Sequence, residues 1–116
     1  MSGECIFCKI VQRKIKADFV KESNNFIAFK DAHPKTEGHT LIIPKKHYVT
    51  LLDIPDRLGE ELLHFLKEIS YEILEKKYGN GFNLAMNNLE PAGQKVHHAH
   101  FHILPRKEDD GLSVIV

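Results

Sequence analysis

The chain has no tryptophan, only two cysteines and no surplus of charge of either sign. Sixteen Lys and Arg balance sixteen Asp and Glu, a formal net charge of +0, which removes any global electrostatic case for a nucleic-acid partner. No apolar run approaches the roughly 20 residues that span a bilayer, so no membrane partner is expected. The opening Met1-Ser2-Gly3-Glu4 lacks the basic and apolar regions of a signal peptide, which makes the cytoplasm the expected location. In that reducing compartment Cys5 and Cys8 read as a metal clip or redox motif rather than a structural disulfide. Repeats and low-complexity segments are also missing, so residues 1–116 are expected to form one domain, long enough to bury a core.

What the chain does have is a concentration of histidine. From His97 to His102 four residues in six are histidine, and from His98 they alternate with apolar residues, the period of a strand. His98, His100 and His102 then share one face, while Ala99, Phe101 and Ile103 turn to the other, where a core can bury them. Pro105 has no N–H to give and should end regular pairing. Three imidazoles on one face desolvate one another and repel if protonated, so they should stay mostly neutral near neutrality. A neutral imidazole can be a metal ligand, a nucleophile or a base, and clusters of perturbed titratable groups track functional sites.

Around this stretch the pattern alternates between helix and strand periods. Ile6, Phe7, Ile10 and Val11 have helical spacing within residues 5–13, which puts Cys5 and Cys8 on one side of a short helix or turn. Strands are expected at 19–23 and 25–30, joined at Ser23-Asn24-Asn25, with Asp31 where the second runs out. A turn-rich segment, 31–38, in which His33 is an ordinary loop residue, leads to a strand at 39–44 closed by Pro44. The main helix is expected over 55–78: Leu58, Leu62, Phe65, Leu66, Ile69 and Ile73 share a face, Asp53 or Asp56 caps the start, and Gly79-Asn80-Gly81 stops it. Its polar side, with Glu60, His64, Lys67, Glu68 and Glu75, reads as a solvated surface. A strand at 82–87, a loop at 88–95 and the histidine strand at 96–104 follow, the two strands pairing as a hairpin. The sum is an α+β sheet protein.

The run Gly93-Gln94-Lys95-Val96-His97-His98-Ala99-His100-Phe101-His102-Ile103-Leu104 resembles the signature of the histidine triad (HIT) superfamily. Cys5-Ile6-Phe7-Cys8-Lys9-Ile10, Phe29-Lys30-Asp31, Gly38-His39-Thr40-Leu41-Ile42-Ile43-Pro44-Lys45-Lys46-His47 and Ala92-Gly93-Gln94 look like further landmarks of that family in its order. The resemblance implies a HIT-like fold, an antiparallel sheet of about five strands with one long helix and a short N-terminal one, usually as a homodimer. It also implies binding of a purine nucleotide such as an AMP conjugate and cleavage of a bond at its α-phosphate.

By position, the resemblance makes His100 the nucleophile. A nucleotidyl-histidine would form and then be hydrolysed, which splits one hard displacement into two easier ones. His102 would contact phosphate oxygens or the leaving group, and His98 is the first histidine of the triad. Gly93, Gln94, Lys95 and Val96 would offer phosphate donors from the loop, Gln94 through its side-chain amide as well. Lys95 stands where the family often has Ser or Thr, and either gives phosphate a cation or points to solvent. Asp31 would accept the ribose hydroxyls and Asn87 would lie beside the α-phosphate. Phe7, Ile10, Ile27 and Phe29 either wall the base pocket or form ordinary core.

Two thiolates make only half of a tetrahedral site. Resemblance to zinc-holding bacterial members completes it with His47 and His98, so Cys5, Cys8, His47 and His98 are the expected structural zinc ligands; otherwise the thiols are free. A closed site of this kind braces a fold and activates no water. Nucleoside phosphoramidates and dinucleoside polyphosphates are not separated as substrates: Ile103-Leu104-Pro105-Arg106-Lys107 looks like the second group, the short C-terminus like the first. Two other readings stand beside the enzyme. One is a nucleotide-binding scaffold with little turnover, and the other is a catalytic metal on the three histidines, which leaves the Gly93-Gln94 loop unexplained.

Overall fold

The structure, a computed structural model, describes residues 5–113. In chain order these form α1 (Ile6–Val11), β1 (Asp18–Glu22), β2 (Phe26–Lys30), β3 (Thr40–Pro44), α2 (Gly59–Glu75), β4 (Gly81–Ala85) and β5 (Phe101–Arg106). The strands make one sheet in the order β1-β2-β3-β5-β4, antiparallel throughout. No helix among the described residues is long and apolar enough to cross a membrane.

Phe26-Ile27-Ala28-Phe29 and Leu41-Ile42-Ile43 are apolar at every position, and both runs are buried on both faces because each face of the sheet carries a helix. Phe26, Ala28, Ile42, Phe101 and Ile103 meet Leu62, Phe65, Ile69 and Ile73 of α2 in the larger core. On the opposite face Ile27, Phe29, Leu41 and Ile43 meet Phe7 and Ile10 of α1. Ala99, Phe101 and Ile103 are all buried, as their alternation with histidine suggested.

Several boundaries differ from the sequence reading, each for a local reason. The helix expected from 55 begins at Gly59, because Asp56–Leu58 tighten into a 3₁₀ turn first. Asp53 caps an earlier turn instead: its carboxylate accepts from Thr50 N–H at 3.0 Å, while Thr50 Oγ1 accepts from Leu52 N–H at 3.2 Å. At the far end, Lys77 takes the left-handed conformation (φ 61°) and Tyr78 N–H reaches back to Ile73 O at 3.1 Å, so the helix stops before Gly79. Gly79 is needed elsewhere, since a Cβ there would stand 2.7 Å from the Arg106 backbone.

The histidine strand was expected over 96–104 and is paired only from Phe101. Pairing with β3 begins at Ile42↔Phe101, and ahead of it Ala99 N–H bonds instead to Tyr48 O at 2.6 Å. Pairing also continues through Pro105 to Arg106 rather than ending. β3 leaves the ladder at Thr40↔Ile103, so past that point β5 is paired on one side only and tolerates a proline. The hairpin of β4 with β5 forms as expected. The edge strand β4 and α2 share an apolar groove of about 350 Å³ lined by Leu63, Leu66, Tyr71, Leu74, Phe82 and Leu84.

Candidate active site

Each histidine of the triad has one ring nitrogen committed to a partner, and that partner decides what the other nitrogen can do. His98, fully buried, places Nε2 2.9 Å from the carbonyl of Pro44 at the end of β3. A carbonyl only accepts, so Nε2 carries the proton and Nδ1 keeps its lone pair. That lone pair faces two thiols, Cys5 Sγ at 3.4 Å and Cys8 Sγ at 3.5 Å, and His47 Nδ1 lies 3.2 Å from Cys8 Sγ. Burial holds His98 neutral, lowering its pKa to about 4.

The four donors of Cys5, Cys8, His47 and His98 lie within 4.8 Å of one another. A tetrahedral ion with Zn–S near 2.3 Å and Zn–N of 2.0–2.1 Å needs S···N separations of about 3.5 Å, so the set fits zinc. Cys5 caps α1, its sulfur accepting from Cys8 N–H at 3.4 Å, which turns both thiols to one side. Burial, and next the Cys5 thiol beside it, push the Cys8 thiol up to about 11. A bound dication reverses that preference for the neutral Cys8 thiol.

His100 lies two residues on, and its Nδ1–H donates to the backbone carbonyl of His98 at 2.7 Å. The lone pair is therefore on Nε2, the atom free to attack. Burial lowers the His100 pKa, while the carbonyl bond and the Asp31 carboxylate oppose the shift. The edge of Phe7 meets the ring at a centroid distance of 5.0 Å.

His102 is ordered by His39, a residue without an assigned role in the sequence reading. Lys35 N–H donates to His39 Nδ1 at 3.2 Å, so the proton of neutral His39 is on Nε2, which lies 3.0 Å from His102 Nδ1. His102 in turn carries its proton on Nε2 and presents a donor. Asp31 Oδ2 stands 3.5 Å from His39 Nε2. Burial, and next the neighbouring His100 and His39 rings, hold His102 at about 4; burial also lowers His39. Asp31, His39 and His102 are close enough to hold an ion. With Lys35 N–H on Nδ1, however, His39 could coordinate through Nε2 only as an imidazolate, so a hydrogen-bond chain accounts for this cluster better. Nor do the triad lone pairs converge: those of His98 and His102 are directed to different partners, against a metal on the three histidines.

Residues 12–109 match the sequence pattern of the HIT domain. The chain belongs to the HIT domain family. An uncharacterized HIT-like protein of Methanocaldococcus jannaschii is 46% identical over 109 residues, 92% of this chain and 82% of its own length. An adenosine 5'-monophosphoramidase of Saccharomyces cerevisiae is 36% identical over 109 residues, 94% of this chain and 66% of its own. The crystal structure of a zinc-bound histidine triad family protein from Mycobacterium smegmatis superposes with a TM-score of 0.89 at 37% identity, covering 97% of this chain and 82% of that one.

In this HIT domain the expected nucleotide-binding residues fall into distinct groups. Ile10, Ile27 and Phe29 are closed from solvent as part of the smaller core, and Phe7 carries that core to the histidines, with Val96 packed at its margin. Asp31 is a turn former, accepting from His33 N–H at 2.9 Å, yet it also faces the histidines. His33, His97 and Lys95 are exposed. Gly93 takes φ 95°, and Asn87 lies against it. The N–H groups of Lys95 and Val96 find no acceptor among the described residues. Gln94 departs from expectation: its buried amide is spent on backbone, donating to Val49 O at 2.6 Å and Val96 O at 3.1 Å and accepting from Leu89 N–H at 2.7 Å, so the side chain is not a free phosphate donor.

Proposed function

We propose that this HIT domain is a hydrolase that cleaves nucleoside phosphoramidates or dinucleoside polyphosphates at the α-phosphate through a nucleotidyl-His100 intermediate. The observation that carries the reading is the bond from His100 Nδ1–H to His98 O at 2.7 Å, which leaves a neutral, partly desolvated Nε2 lone pair as the nucleophile. In the first step Nε2 bonds to phosphorus and the leaving group departs with the electrons of its former bond to phosphorus. In the second, water displaces the imidazole and releases the nucleoside monophosphate. His102 Nε2–H and the N–H groups of Lys95 and Val96 are the donors for phosphate oxygens, Asn87 lies beside them, Asp31 accepts the ribose hydroxyls, and Phe7 bounds the site of the purine. The yeast relative is named for its activity as an adenosine 5'-monophosphoramidase, which supports this substrate class.

Cys5, Cys8, His47 and His98 are the residues that would hold zinc, and the ion would supply a fixed, closed anchor for the chain entering the triad. The apolar groove of α2 and β4 supports a homodimer formed across that face, with exposed Leu63 and Leu84 in its lining. A cytoplasmic location suits the free thiols of Cys5 and Cys8.

Intact-protein mass spectrometry after brief mixing with an adenosine phosphoramidate or a diadenosine polyphosphate tests the chemistry. A nucleotidyl adduct on the wild type that His100→Ala lacks is the expected result, and the better donor identifies the leaving group. Undiminished turnover by His100→Ala, with no adduct on either protein, would overturn the assignment.

A further inference from the structure

Leu89 has φ 73° and ψ 160°, a region essentially reserved for glycine. Its side chain is 57% exposed, so burial does not compensate the strain. Backbone bonds from Ala92 N–H (3.1 Å) and Gln94 N–H (3.2 Å) to Leu89 O fix one side of the residue. The other side is held by the Gln94 side chain, whose Oε1 accepts Leu89 N–H at 2.7 Å. The same amide donates to Val49 O and Val96 O, and at 3% exposure Gln94 faces little competition from water for these bonds. One buried side chain thus joins the turn that opens at Leu89, the connection between β3 and α2, and the chain entering the triad. Asn88 Oδ1 adds a second tie between the first two, accepting from Leu51 N–H at 2.8 Å.

We infer that Gln94 is a positioning residue for the phosphate loop, and that it acts by clamping Leu89 in its positive-φ conformation. This rests on the hydrolase reading above. A Leu89 released from the clamp relaxes toward negative φ, which rotates the Asn88–Leu89 peptide. That rotation carries Asn87 away from Gly93, where the two are close enough that a Cβ on Gly93 would stand 3.4 Å from Asn87 Nδ2. Loss of the bond to Val96 O frees the segment carrying the Lys95 and Val96 N–H groups, which have no acceptor among the described residues. Gln94 itself touches no substrate in this scheme, because all its polar atoms are occupied by backbone.

A double-mutant cycle in the full chain tests the clamp. Glycine adopts positive φ without strain, so Leu89→Gly removes the need for it. Gln94→Met, which keeps the shape but none of the bonds, should weaken AMP binding and lower kcat/KM about tenfold, whereas the same change in the Leu89→Gly background should cost less than about threefold. Gln94→Ala in both backgrounds repeats the comparison if Gln94→Met fails to fold. A merely structural Gln94 would lower Tm and leave AMP affinity of the folded protein unchanged. Equal losses of affinity in the two backgrounds would overturn the clamp. If wild type neither binds AMP nor turns over, the hydrolase reading fails, and the clamp is then judged by Tm alone: coupling between the two positions sustains it and additivity rejects it.

Discussion

The backbone carbonyl of His98 accepts the Nδ1–H of His100 at 2.7 Å, while the His98 ring faces Cys5 and Cys8. One residue therefore closes the Cys/His cluster with its side chain and sets the tautomer of His100 with its main chain. The metal candidate and the nucleophile candidate share a peptide, which makes disturbance of the first measurable at the second.

Cys8→Ser should abolish binding of zinc or of its cobalt substitute. We expect about one equivalent of metal in wild type and none in the variant, by elemental analysis, with cobalt giving thiolate charge-transfer absorption only in wild type. Tm should fall in parallel, since a ligand that binds only the folded state stabilises it.

His39→Ala should lower kcat by about ten- to hundredfold, the usual cost of removing a group that orients a reacting side chain. The rings are 3.0 Å apart at His39 Nε2 and His102 Nδ1. Nitrogen NMR should show His102 fixed as the Nε2–H tautomer in wild type and mixed in the variant. An unchanged tautomer would separate the two residues.

Stability should depend on pH through His102. Its pKa in the folded protein is about 4 against an ordinary 6.5, so the unfolded chain binds the proton more readily. The contribution is complete above about pH 6.5 and is lost progressively as pH falls toward 4. Tm measured across that window should decline less steeply in His102→Asn than in wild type.

Phe65→Ala opens a cavity in the larger core, where Phe65 of α2 is 1% exposed and stacks on Phe26 at 6.5 Å. A loss of about 3–5 kcal/mol is expected in urea unfolding.

Leu84→Lys places a charge on the exposed edge strand β4, beside Leu63 and Phe82. Sedimentation should show a dimer for wild type and a monomer for the variant, with Tm of the separated chain little changed. A monomeric wild type would remove the dimer.

The chemistry of the site was legible where residues that act together are also close in sequence. His98, His100 and His102 announced themselves by alternation, which set them on one face of the chain; the burial of His98 and His100 came from the tertiary structure, where Phe7 of α1 meets both rings. The Cys5-x-x-Cys8 pair was visible for the same reason, because a short helix brings both thiols to one side. Its histidines were not. His47 and His98 came only by resemblance, since nothing local relates positions 39 and 90 residues away from Cys8. His39 lies in the stretch 38–47 that resembles the family, and alternation puts it on the same face as Leu41 and Ile43. No local pattern, however, tells which strand lies beside it.

By itself, then, the sequence determined the elements, because hydrophobic period and turn chemistry act over a few residues: the long helix, the apolar central strands and the β4–β5 hairpin. It also marked the three alternating histidines, among which only the family resemblance singled out His100 as the nucleophile candidate. Tertiary structure decided which nitrogen of His98 and of His102 carries the proton, because their partners, Pro44 O and the His39 ring, come from distant segments, whereas His100 takes its partner from His98 O two residues away. It likewise turned Gln94 from a free donor into a brace, since a buried amide must satisfy its donors and acceptor with whatever backbone the fold brings within reach.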